Sequence, residues 1–304
     1  MEIVKLKPVA KDYIWGGTKL LGFGKEASGA TIAETWELSF DPDSPSIIAT
    51  GPNAGKPLCE VAEHDDIGVC ADSFGKFPVL IKLIDSQQDL SVQVHPDDNY
   101  AEEHEHSFGK TEMWYIIDAE PGSGLYVGWK DDVDKETIVA KVEDGTILEL
   151  MNFFPVKKGD SYFIPAGTVH AIGKGVTLIE IQQNSNITYR LYDYKRLGKD
   201  GKPRELHLQK ALEVIDTEKY RQIDFPKPLI GMCPYFASYH YEIKESLQIK
   251  AKPDSYASIT ILDGQGTFAG IPFGKGDTFF IPARQEGLLI GACEFVLTES
   301  AFLR

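Results

Sequence analysis

Short runs rich in apolar, β-branched and aromatic residues recur along much of the chain, of a length and composition that suit strands. Such runs are PVLIKLID (78–85), LSVQVHP (90–96), EMWYIID (112–118), VTLIEIQQ (176–183), ASITILDG (257–264) and DTFFIPA (277–283). The 28 glycines and 17 prolines fall throughout and punctuate them, which predicts a mainly β sandwich or barrel. Helical spacing is rarer. Thr146 with Glu149 three residues on has the form of a capping box ahead of Leu150 and Met151. After Pro203, Leu208, Leu212 and Ile215 recur at helical intervals. Both read as helices inserted on a β framework.

One segment occurs twice. Residues 157–166 (KKGDSYFIPA) and 274–283 (GKGDTFFIPA) share seven of ten residues at a spacing of 117. A turn leading into an aromatic strand that closes at Pro-Ala thus predicts two related β units. The division expected is a metal-binding catalytic unit over 1–216 and a C-terminal unit over 217–304. Four residues past Ala166 stands His170, whereas four past Ala283 stands Gly287, so only the first unit keeps a ligand there.

Within 91–95, alternation points Ser91, Gln93 and His95 one way and sends Val92 and Val94 into the apolar layer. Glu112 opens the next strand and His170 follows the turn Ile164-Pro-Ala-Gly-Thr168. Two imidazoles, a carboxylate and an amide oxygen make a set of donors for one divalent metal with a position left open. Glu102-Glu-His104-Glu-His106 also offers H-x-H among acids, but without strand alternation it reads as a solvated acidic loop. His64, His207 and His240 have no matching partners and read as structural. Further on, alternation predicts Arg190, Tyr192, Tyr194 and Arg196 on one strand face, and paired arginines suit a phosphate or a developing oxyanion. Lys82 is a cation inside an apolar strand, there either to snorkel or to meet a ligand anion.

The formal net charge of −15 sets an acidic surface against nucleic acid and anionic lipid, so an anionic substrate needs a local cluster of cations. The N-terminus lacks an apolar run long enough for an export signal or membrane span, which makes the cytoplasm the expected location. Cys59, Cys70, Cys233 and Cys293 form no C-x-x-C pair and read as reduced structural residues.

Six segments, IWGGTKL (14–20), ETWELS (34–39), LSVQVHPDD (90–98), GKTEMWYI (109–116), IPAGTVHAI (164–172) and TYRLYDYKR (188–196), resemble the type I mannose-6-phosphate isomerases. The resemblance is to the short bacterial form of this cupin family and runs over about residues 8–216. It implies a cupin-type double-stranded β-barrel (jelly roll) in two units, one Zn2+ per chain, and interconversion of mannose 6-phosphate and fructose 6-phosphate through an enediol. It implies zinc ligands at Gln93, His95, Glu112 and His170, a catalytic arginine at Arg190 and a catalytic lysine at Lys110. Ser91, Lys82 and Arg196 match positions that contact the substrate, its phosphate being the expected group. The proton carrier expected for this chemistry is a metal-associated water or Lys110. The chain departs from the family at Asn186, where an acid is usual. Two other readings fit the residues: a non-haem iron oxygenase, which also uses two histidines and a carboxylate, and a non-catalytic sugar-phosphate-binding regulator.

Overall fold

Strand alternation decides which side chains form the core and which are left to line a site. In Val79–Ser86, residues Val79, Ile81 and Leu83 join one apolar core while Ile84 joins another on the opposite face. Val176–Gln183 and Glu112–Ala119 divide the same way, with Ile179, Ile181, Met113 and Tyr115 on the first side and Leu178, Trp114 and Ile116 on the second. The computed structural model describes residues 1–27, 29–69, 74–198 and 201–300.

The described strands assemble into four sheets. In the larger sheet of the first unit, Ser161–Ile164, Glu112–Ala119, Val176–Gln183 and Val79–Ser86 neighbour one another in that order, followed by Glu34–Leu38 and Val9–Lys11. The smaller sheet runs Tyr189–Tyr192, Val92–Val94, His170–Ile172, Gly124–Trp129, Met151–Pro155. Trp114, Ile116, Leu125, Val127, Ile172 and Leu178 form the core these two sheets share.

The second unit repeats the wiring. Thr278–Ile281, Ala257–Gly264, Cys293–Glu299 and Ala237–Ile243 lie in that order, and the smaller sheet runs Ser246–Lys250, Glu286–Ile290, Gly266–Phe268, Ile271–Phe273. The duplicated segments occupy matching places: Ser161–Ile164 borders Glu112–Ala119 as Thr278–Ile281 borders Ala257–Gly264. His170 and Gly287 likewise stand on matching strands. The cupin-type architecture is therefore present twice. Val4–Lys7 pairs with Thr278–Ile281 and adds an N-terminal strand to the C-terminal unit's sheet. The two larger sheets pack face to face through Ile81, Met113, Ile181, Phe236, Tyr256 and Phe280, all buried. Each such side chain contributes about 1.5–3 kcal/mol of burial free energy.

Helices cover the outer face of the first small sheet. Lys135–Asp144 and Leu208–Val214 supply Ile138, Val142 and Ala211 to a core with Val92, Val94, Trp129 and Ala171. The helix after Pro203 thus forms where the Leu208 and Leu212 spacing predicts it. The expectation at Thr146 is corrected. Its hydroxyl donates to Asp144 Oδ1 (2.5 Å) rather than capping, and only a 3-10 turn, Ile147–Glu149, precedes the strand Met151–Pro155. The helix lies upstream, capped where Asp134 accepts from Thr137 N (2.7 Å) and ended at Gly145, whose φ of 83° suits glycine. The acidic loop is corrected as well. Asp98–Glu105 is helical, with Asp97 as its cap (Tyr100 N donates at 2.9 Å), and His104 and His106 are exposed, outside the metal-competent group. Cys59, Cys233 and Cys293 are free thiols; Cys70 lies outside the described residues. Among the described residues no helix is long and apolar enough to cross a membrane.

Candidate metal centre and cavity

Register brings the site together. Val92–Val94 lies between two neighbours, so Gln93 stands opposite His170 on one side and Arg190 on the other. Val92 and Val94 turn outward to the helix-covered core, which leaves Gln93 facing the barrel interior. From the larger sheet, Glu112 and Trp114 lie on the face turned to that interior. Trp114 packs edge-on against the His170 ring at 5.4 Å between centroids.

His95, Glu112 and His170 place one donor atom each within 4.8 Å of one another, and all three are buried. Glu112 Oε2 is 3.5 Å from His95 Nε2, and Glu112 Oε1 is 3.3 Å from His170 Nε2. The Nδ1–H of His170 donates to the Thr168 carbonyl at 2.8 Å, which leaves Nε2 as a lone pair aimed at Glu112. Gln93 completes the ring, its amide nitrogen 3.3 Å from His170 Nε2 and its Oε1 3.4 Å from Ser91 Oγ.

Electrostatics favour a cation at this point. Burial, with help from Lys110 and His170, holds His95 well below the usual histidine range, and burial pushes His170 down to about 4. Both imidazoles are therefore neutral donors at pH 7. Burial and then Glu180 raise the Glu112 carboxyl above its ordinary range, against the pull of Lys110. Lys110 Nζ is 2.8 Å from Oε2, yet neither Glu112 oxygen receives a well-directed hydrogen bond. Two unsatisfied buried oxygens beside two neutral imidazoles are what a divalent ion satisfies. A cation there would also return Glu112 to the ionised state.

On the side of Gln93 and Lys110, which touch this group, opens a cavity of about 430 Å³, within the range of small-molecule sites. Lys82, Ser91, Gln93, Lys110 and Arg190 all line it, as does Asn186. Arg190 Nε donates to Ser91 Oγ (3.2 Å) and Nη1 to the Glu205 carbonyl (2.8 Å). Lys82 is not a free anion receptor. Its Nζ lies 3.3 Å from Glu180 and 3.9 Å from Glu34, and these carboxylates outweigh the burial that opposes its charge and raise its pKa. Glu180 also accepts from Trp114 Nε1 at 3.0 Å and lies 4.0 Å from Lys110.

The single strand face through Arg196 is corrected, and Arg196 is not among the residues that line the cavity. Strand geometry ends at Tyr192, and Tyr194 and Lys195 both take φ of 55°, a turn that breaks the alternation on which the shared face depends. Arg196 instead donates to the Asp89 carbonyl (2.6 Å) and pairs with Asp193 (2.5 Å). Arg204 lines the cavity, and the pattern of residues gave no sign of it. Glu34 and Glu180 were also unread, although a charge inside VTLIEIQQ is the same kind of anomaly as Lys82 in the strand it pairs with, where Glu180 stands opposite Lys82.

Comparison with known proteins agrees with this geometry. Residues 3–120 match the family description "Phosphomannose isomerase type I, catalytic domain". The mannose-6-phosphate isomerase ManA of Bacillus subtilis (strain 168) is 39% identical over 295 residues, 92% of this chain and 93% of that protein. A crystal structure of the Bacillus subtilis mannose 6-phosphate isomerase superposes with a TM-score of 0.87 at 36% identity, covering 98% of this chain and 99% of the other. A zinc-bound mannose 6-phosphate isomerase shares the fold at a TM-score of 0.78 over the whole of both chains, with 17% identity. With relatives this similar along almost its whole length, the chain belongs to the type I phosphomannose isomerase family.

Proposed function

We propose that this chain interconverts mannose 6-phosphate and fructose 6-phosphate and that the ion it uses is zinc, one per chain. The observation that carries the reading is the convergence of His95, Glu112 and His170 directly behind Gln93 and Lys110, which touch His170 and Glu112 and line a cavity together with Arg190. Two neutral imidazoles, a carboxylate and the Gln93 amide form a nitrogen and oxygen set that suits zinc with one position left for substrate or water. A half-turn of the Gln93 amide exchanges its nitrogen for its oxygen on the His170 side. When bound, the ion supplies Lewis acidity at the oxygens that gain charge.

Aldose–ketose exchange removes a proton from C2, passes through an enediol, and returns a proton to C1 while the O2 hydroxyl proton moves to O1. Arg190, beside Gln93 in register, stabilises charge on those oxygens as it forms. Its Ser91 and Glu205 bonds hold the guanidinium before substrate arrives. Lys110, buried against Glu112, is placed to hold or move a proton at the carbon or its hydroxyl. Lys82, caged by Glu34 and Glu180, keeps that wall ionised and fixed while contacting the sugar. Catalysis belongs to the unit over 1–216, the unit over 217–304 being a ligand-free support, and the cytoplasm is the place of work.

The test is a coupled assay of purified protein on mannose 6-phosphate, following fructose 6-phosphate. Turnover that a strong chelator abolishes is expected. Oxygen uptake with iron in place of isomerisation would transfer the chain to the oxygenase reading, and binding without turnover would make it a regulator.

A further inference from the structure

Three of the cations near the cavity are already answered by acids. Lys110 stands on Glu112 and Lys82 on Glu34 and Glu180. Arg196 spends its guanidinium on Asp193 and the Asp89 carbonyl, with the Tyr194 ring 4.9 Å away. Arg204 differs. It grips Asp193 along one edge, Nε to Oδ2 at 2.7 Å and Nη2 to Oδ1 at 2.5 Å, and no described residue accepts from its Nη1. Its side chain is 23% exposed and lines the cavity beside Arg190 and Ser91. Asp193 is 4% exposed and serves both Arg196 and Arg204, so one carboxylate faces two guanidiniums and the trio keeps a net positive charge.

We propose that Arg204 is the residue that receives the phosphate of the substrate, with Asp193 fixing its plane and Arg196 bracing Asp193 from behind. This rests on the sugar-phosphate reading above. Arg190 and Arg204 line the same cavity, so two guanidiniums stand together where an incoming dianion relieves their repulsion. A planar fork held on one edge presents the other edge ready-formed, which a lysine cannot do.

The test compares wild type with Arg204→Ala, Arg204→Lys and Arg196→Ala by KM and kcat for mannose 6-phosphate, and by calorimetric binding of inorganic phosphate. Loss of one hydrogen bond to a charged group predicts that Arg204→Ala raises KM and weakens phosphate binding together, roughly 10- to 100-fold, with kcat within about threefold. Arg204→Lys falls between, and Arg196→Ala shifts KM less than Arg204→Ala. An Arg204→Ala enzyme with KM within about threefold of wild type, or a larger shift from Arg196→Ala, overturns the assignment. If the alanine variant does not fold, a lysine variant indistinguishable from wild type in both measurements overturns it equally. A wild type inactive on mannose 6-phosphate sinks the functional reading instead, and phosphate calorimetry then still decides Arg204.

Discussion

Glu294 stands at the junction of the two units and allows the charge-based part of the account to be worked through. Its Oε1 accepts from Tyr115 OH and His240 Nε2, both at 3.0 Å, and its Oε2 lies 2.6 Å from Lys158 Nζ. Tyr115 and Lys158 come from the first unit, His240 and Glu294 from the second. The charges of Asp263 and Glu242 act on Lys158, and those of Glu242 and Asp160 on Tyr115. Burial alone would raise the Glu294 carboxyl, but these donors hold it at about 2. Against an ordinary glutamate value of 4.5, that difference corresponds to about 3 kcal/mol at neutral pH. Lys158 is 54% exposed, so solvent screening brings the expected figure to about 1–2 kcal/mol. Because the folded value is depressed, the stabilisation is complete above the unfolded value of 4.5 and disappears as the pH falls through about 2. Glu294→Gln keeps the shape and an acceptor for Tyr115 while removing the charge. Urea unfolding of both proteins, with metal chelated, should show the variant less stable by about 1–2 kcal/mol at pH 7 and the gap closing between pH 4.5 and 2.5. A gap that stays constant with pH would show packing rather than charge at work, and no gap at all would refute the reasoning.

Lys82→Met should leave Glu180 and Glu34 buried without their shared cation and cost about 3 kcal/mol in urea unfolding, since Glu180 keeps Trp114 and Lys110; a loss below about 1 kcal/mol would reduce the cage to a surface-type pair. Phe280→Ala, at a fully buried position between the larger sheets, should cost about 3–5 kcal/mol in one cooperative transition, and two separate transitions would mean the units are not joined through that core. Arg190→Ala should lower kcat about 100-fold or more at full metal content, whereas parallel loss of metal would make Arg190 a structural residue.

Much of the site could be read from residues in one strand. The alternation Ser91-Val-Gln-Val-His95 gave the inward face of Gln93, and the outward valines indeed lie in the helix-covered core. The repeated turn and strand gave the duplication, down to His170 against Gly287. What remained hidden depends on neighbours distant in sequence. Glu180 gains its role from standing opposite Lys82, a pairing of strands nearly a hundred residues apart that no local pattern encodes. The left-handed turn at Tyr194 and Lys195 removes Arg196 from the cavity, and non-glycine residues carry no signal for such a φ. The helix Asp98–Glu105 escaped because it is mostly polar and buries only Ala101, so its cap was its one local sign.

The central claim is that His95, Glu112 and His170 hold one ion and that activity requires it. Zinc titrated into chelator-stripped protein, with uptake followed by calorimetry and turnover on mannose 6-phosphate measured at each step, addresses it directly. The account predicts isomerase activity rising linearly to one equivalent and then flat, with His170→Ala taking up no tightly bound zinc and regaining no turnover. Full activity in the stripped wild type, or a His170→Ala protein that binds one equivalent and turns over normally, would contradict it.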